Sequence, residues 1–158
     1  MVGVDGSPDS MQALAWAAAE ARLRAAVLEV VHVDFFRREA LEAFAPDVLS
    51  DEQTVLERAV GRAQVLEPDI EVEGRIREPP AAKALLEASE GAEMLVVGSR
   101  GLSGLKKLAL GSVSGECVHR ARCPVVIVRP IAAEGSSEQA SLETLQLPEA
   151  VSAGPTPR

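Results

Sequence analysis

Apolar positions along this chain fall into two alternating periodicities. Met1–Asp5, Val27–Val33, Met94–Val97 and Val125–Val128 are short, mainly β-branched or apolar runs, the composition of strands buried in a parallel sheet. Asp69–Arg77 sets Ile70, Val72, Gly74 and Ile76 at every second position among charged neighbours. That pattern predicts a strand with one face less covered, near a sheet edge. Between these runs the spacing turns helical. Ser7-Pro8-Asp9 reads as a helix entry, with a serine cap, a proline at the first helical position and an acid in the first turn. From Ser10 to Ala26 the predicted buried face is Met11, Leu14, Ala15, Ala18, Ala21 and Ala25. A second helix is predicted over Asp51–Leu66, with Val55, Ala59, Arg62/Ala63 and Leu66 on one side. A third begins at Pro79-Pro80 and carries Ala84, Leu85 and Ala88. A fourth opens at Gly111-Ser112, with Val113, Cys117 and Ala121 at helical spacing. Phe35–Ser50 has no clear period, and Pro46 is expected to interrupt any helix there.

The order β-α-β-α-β-α-β-α-β predicts an α/β fold: a single-domain, five-stranded parallel sheet with helices on both faces. In such sheets ligands bind beyond the carboxyl ends of the strands, where the connections diverge. Asp5, Val33 and Gly98 stand at those ends. After Pro130 the composition shifts to Ala, Glu, Ser, Gly and Pro, with few large apolar residues. The expected division is therefore a domain over 1–130 and an acidic, disordered tail over 131–158.

Composition narrows the function. Aromatic residues make up only 3% of the chain, so the core must be built from alanine, valine and leucine. A formal charge of −8 argues against nonspecific binding to nucleic acid or an anionic membrane. No apolar run approaches the ~20 residues needed to cross a bilayer. The chain enters a strand at once, without the pattern of a signal peptide, which predicts a cytoplasmic location. Cys117 and Cys123 lack Cys-x-x-Cys spacing and read as reduced thiols. His32 reads as a strand-end residue and His119 as a helix-surface one, neither with a metal-spaced partner.

The candidate chemistry lies between Gly98 and Ser114. There a glycine-bearing loop joins a buried strand to a helix, so backbone amides can approach an anion without a Cβ in the way. The helix opening at Gly111-Ser112 presents unpaired N–H groups and the positive end of its dipole. Ser112 and Ser114 add hydroxyls, and Arg100, Lys106 and Lys107 add positive charge. These features predict a phosphate site. A Walker A loop does not fit, and glycines at 98, 101 and 104 do not make a Rossmann fingerprint. The arrangement is Gly98-x2-Gly101-x9-Gly111-Ser112.

That arrangement resembles the nucleotide-binding signature of the universal stress protein family, in its ATP-binding branch. Val2-Gly3-Val4-Asp5-Gly6-Ser7, Val31-His32-Val33 and Cys123-Pro124-Val125-Val126-Ile127-Val128 resemble its first, second and last strands, in the family's order. The resemblance implies a Rossmann-like, adenine-nucleotide alpha-hydrolase-like sheet. It also implies a site at Val4, Asp5, Val33, Val97, Gly98, Arg100, Gly101, Gly111, Ser112, Val113 and Ser114. Asp5 either caps its turn or hydrogen-bonds the ribose or adenine, or lies near the metal–phosphate group. Val33 and Val97 would flank the base. Arg100 is either solvated or a phosphate ligand, and Lys106 and Lys107 are either solvated or screen a triphosphate. The implied ligand is ATP, AMP or cyclic AMP, with Mg²⁺ or Mn²⁺ carried on the phosphates. The implied assembly is a homodimer through Val125–Val128. No Gly-x-Ser-x-Gly elbow, paired acid or positioned base is visible. The reading is thus a stress-linked binding protein with at most slow hydrolysis. A nucleotide-hydrolysing or nucleotide-activating enzyme and a nucleotide-free partner-binding module are its alternatives.

Overall fold

Alternation of apolar positions on the strands builds a sheet with a core on each side. The computed structural model describes residues 1–33, 46–102 and 110–129, with backbone alone over 46–53. The elements are β1 (Val2–Val4), α1 (Pro8–Arg24), β2 (Leu28–Val33), α2 (Pro46–Leu66), β3 (Val72–Arg77), α3 (Ala81–Ala88), β4 (Leu95–Gly98), α4 (Ser112–Arg120) and β5 (Val125–Val128). All strand pairs are parallel, in the order β3-β2-β1-β4-β5. Val2, Val4, Leu28, Val30 and Val96 turn to one face and pack on alanines of α1 and α2. Val31, Leu95 and Val97 turn to the other, against Leu85 of α3 and Cys117 of α4. This is the predicted α/β sheet with helices on both faces. The proposed tail at 131–158, Lys106, Lys107 and the stretch 34–45 lie outside the described residues.

Two local expectations are corrected. Pro46 does not interrupt a helix; it opens α2, at the start of a helix where the missing N–H has no intrahelical partner to lose. The buried face of α1 is also turned from the predicted one. Ala13 and Ala17 are buried with Leu14, Ala18 and Ala21, while Met11 and Ala15 are half-buried and Ala25 is exposed. With alanine on nearly every side, α1 has little hydrophobic contrast to orient it, and the sheet decides. Ala25 ends the helix in the left-handed conformation, φ 51°, donating its N–H to the carbonyls of Ala21 and Arg22. Other expectations hold. Ser7 Oγ accepts from Ser10 N at 3.2 Å as the N-cap of α1. β3 is an edge strand with a mostly exposed surface.

α1 and β4 approach each other closely, backbone to backbone. A Cβ placed on Gly98 would lie 2.8 Å from the carbonyl carbon of Asp9 and 2.9 Å from the nitrogen of Ser10. Both are backbone atoms and cannot swing aside. Gly98→Ala should therefore lower unfolding stability by about 1–3 kcal/mol, as overpacking does. Gly115 on α4 has open space around its Cα, so Gly115→Ala should be neutral or stabilising by about 1 kcal/mol or less. Urea titration of the two variants checks the contrast; equal effects would contradict it.

Candidate functional site

The chain leaves β1 toward β2 on one side, and later returns to lay β4 on the other. The connections therefore diverge between the carboxyl ends of β1 and β4, the position where open α/β sheets bind ligands. Three segments meet there: the Asp5–Ser10 turn, Ser99–Leu102, and Gly111–Ser114 at the start of α4. Gly6 turns the first of them at φ +79°, a conformation that costs glycine little.

Asp5 ties the first two segments together. Its Oδ1 accepts from Ser7 N at 2.9 Å and its Oδ2 from Leu102 N at 3.0 Å. Gly101 passes so close that a Cβ there would stand 2.5 Å from Oδ2. Burial pushes the Asp5 carboxyl up, but hydrogen bonds from Ser7, Ser10 and Leu102 together outweigh it and hold the group below its ordinary value. Ser10 Oγ adds a contact to Asp5 N at 3.3 Å and donates to Ser7 O at 2.9 Å. Asp9, with 9% of its surface exposed, accepts on Oδ2 from Ser99 Oγ at 2.8 Å and from Arg100 Nε at 3.4 Å. The N-terminus of α1 is thus filled by the protein's own serines and carboxylate.

The N-terminus of α4 is different. Gly111 at its N-cap offers no side chain to the first-turn amides, and the first turn holds no acid. Gly111 N donates to Ser99 O at 2.8 Å. Ser114 Oγ lies 3.1 Å from both Ser99 O and Gly111 O, so its single proton is shared between two carbonyls. Ser112 is exposed. The opening of α4 is held rigidly to the end of β4 while its leading N–H groups lack a side-chain partner from the N-cap. Unpaired N–H groups and the positive end of a helix dipole are the features to which anions are attracted.

The fold therefore brings together Asp5, Gly98, Arg100, Gly101, Gly111, Ser112 and Ser114. Val4 points into the core beneath α1, and Val33, Val97 and Val113 belong to the core on the α3–α4 side. Sequence reasoning missed Ser99 and gave Asp9 only the role of a first-turn acid. Ser99 stands between Gly98 and Arg100, so its place in the motif was a signal. The pairing of Asp9 with residues 90 and 91 positions away left none. His32 is buried, and its Nδ1 lies 2.8 Å from Val4 O; because a carbonyl only accepts, Nδ1 carries the proton. Its Nε2 is buried and has no partner among the described residues. Among the described residues no three His, Cys, Asp or Glu side chains gather to hold a metal ion. Nor is any helix among them long and apolar enough to cross a membrane.

Comparison with known proteins finds relatives of the whole domain. The profile of the Universal stress protein family matches residues 1–129. A universal stress protein of Mycolicibacterium smegmatis is 35% identical over 137 residues, covering 81% of this chain and 47% of its own. The universal stress protein YxiE of Bacillus subtilis is 35% identical over 148 residues, covering 82% of this chain and 97% of its own. The chain spans about half the length of the mycobacterial relatives it matches. Among solved structures, a universal stress protein in complex with cAMP is 32% identical with a TM-score of 0.66, covering 80% of this chain and 93% of its own.

The Asp5 hydrogen bonds carry a pH signature. A carboxylate held below its ordinary value stabilises the fold fully above the unfolded-state pKa, near 3.8, and loses that contribution as pH falls through the folded value. Asp5→Asn sets an amide against one backbone N–H and should cost about 1.5–3 kcal/mol at neutral pH. The gap between the two proteins should shrink only below the ordinary carboxylate range. Urea unfolding across a pH series measures it; a gap that closes near neutrality would contradict the assignment.

Proposed function

The chain belongs to the universal stress protein family, and from that premise we propose that it binds an adenine nucleotide and acts as a stress-linked sensor or regulator. ATP is the first candidate, with AMP and cyclic AMP its rivals. The observation that carries this reading is the contrast between the two helix ends at the switch point. One is filled by Ser7 and Asp9; the other, at Gly111-Ser112, has neither a capping side chain nor an acid in its first turn. A phosphate chain would lie at the second, with Ser112, Ser114 and Arg100 around it. The base and ribose would lie toward Asp5; Val33 and Val97, packed in the α3–α4-side core, would stand behind and not against them. The relative solved with cAMP supports an adenine nucleotide in particular.

In this reading Mg²⁺ or Mn²⁺ arrives on the phosphates and takes few protein ligands. Hydrolysis is at most slow. Asp5 is hydrogen-bonded on both oxygens and held below the ordinary carboxylate range, which makes it a weak general base near neutral pH. Residues 1–130 carry the site, 131–158 form a tail, and the protein works in the cytoplasm.

The same premise bears on assembly. β5 is an edge of the sheet, and its Val125–Val128 are only half-buried. An apolar edge is stable when a further strand covers it. Two copies related by a twofold axis would pair β5 with β5 antiparallel and cover both.

Two measurements test these proposals. Gly111→Val should weaken ATP binding by about tenfold or more, because a branched side chain crowds Ser114 Oγ and the Arg100 backbone, 3.4 and 3.5 Å from the added Cβ, and obstructs the helix entry. Calorimetry on a folded variant with unchanged affinity would exclude the site. Light scattering should give the mass of a dimer at micromolar concentration; a monomer mass throughout would remove the β5 pairing.

A further inference from the structure

Arg100 stretches between the two helix ends. Its Cα lies 3.5 Å from the point where Gly111 would carry a Cβ, at the N-cap of α4. Its side chain runs the other way, and Nε reaches Asp9 Oδ2 at 3.4 Å. The contact uses only the inner nitrogen of the guanidinium. Among the described residues neither terminal nitrogen has a partner, and 37% of the side chain is exposed. Asp9 itself cannot move freely. Its side chain is only 12% exposed, its backbone is pressed on Gly98, and Ser99 Oγ donates to the same oxygen that receives Arg100.

From this arrangement we infer that Asp9 is a positioning residue, which grips Arg100 by Nε so that its two terminal nitrogens serve the phosphate chain of a bound nucleotide. The inference rests on the site reading above and deepens it. A free arginine must lose considerable side-chain entropy to meet a phosphate. One gripped from behind has lost part of that already and presents its outer fork for paired hydrogen bonds to phosphate oxygens. Lysine cannot replace it, because it has no inner N–H to be held and no fork to present. The carboxylate also occupies the end of α1, so an anion is directed to α4 and not to the helix that follows β1. Asp9 therefore makes the site selective for the phosphate chain over the nucleoside.

The test is a cycle of affinities for ATP and for adenosine, measured by calorimetry on the unaltered protein, Asp9→Asn, Arg100→Lys and the double variant. Asp9→Asn should weaken ATP binding by about fivefold or more while leaving adenosine within about twofold, a coupling of the size that contacting residues show. Arg100→Lys, a change at a partly exposed position, should lose as much although it keeps its charge. The double variant should be no worse than either single one. Losses that multiply in the double variant, equal losses for ATP and adenosine, or an Asp9→Asn that binds ATP as well or better would overturn the inference while leaving the site intact. An unaltered protein that binds no adenine nucleotide would overturn the site reading, and this one with it.

Discussion

The packing of the first turn of α1 onto Gly98 is the constraint on which the site depends. A helix can lie this close to a strand only where no side chain intervenes, and the backbone of Asp9 and Ser10 leaves no room for one. Contact at that distance fixes where α1 begins relative to β4. It thereby fixes Asp9 beside Ser99 and Asp5 beside Leu102, contacts that bridge 90 and 97 positions of sequence. A looser approach would strip Asp9 of Ser99 and Arg100 and Asp5 of Leu102, leaving Asp5 with its local donor from Ser7 N. Burying an unpaired carboxylate is costly, so the glycine and the acids support each other.

That geometry divides labour between the helices. α1 completes its own N-terminus, with Ser7 Oγ accepting from Ser10 N and Asp9 placing a negative charge in the first turn. α4 does not, and its start is held to the β4 exit through Gly111 N and Ser114 Oγ. Rigid attachment of an incomplete end is what separates a receptor from a frayed turn. Both helices start at the carboxyl ends of the strands, yet only α1 carries a capping side chain and a first-turn acid.

Much of this was legible in the sequence because it is local. Strand runs, the Ser7-Pro8-Asp9 entry and the Gly98–Ser114 spacing depend on neighbours within a few residues, and each corresponds to an element or a turn. Val125–Val128 and Asp69–Arg77 gave even the contrast between an apolar and a charged strand. What was not legible is contact across the fold. The face of α1 was misjudged because alanines at 13, 15, 17, 18, 19, 21 and 25 give no hydrophobic contrast, and only the sheet selects among them. Pro46 was read as a breaker because a proline that begins a helix and one that ends it look alike without the flanking structure. Ser99 and the role of Asp9 were hidden for a further reason. A serine and an aspartate have ordinary local uses, and nothing along the chain announces that they will meet.

The two edges of the sheet are chemically unlike. On β3, Glu73, Arg75 and Arg77 stand on the face that no described helix covers, and Arg75 is paired with both Glu29 and Glu73. A strand docking there would have to disturb charged side chains in mutual contact. On β5 the side chains are valine and isoleucine throughout. Charged edges of this kind discourage the strand-on-strand addition by which sheets grow into fibres, so the two ends of this sheet are unequal invitations to further pairing.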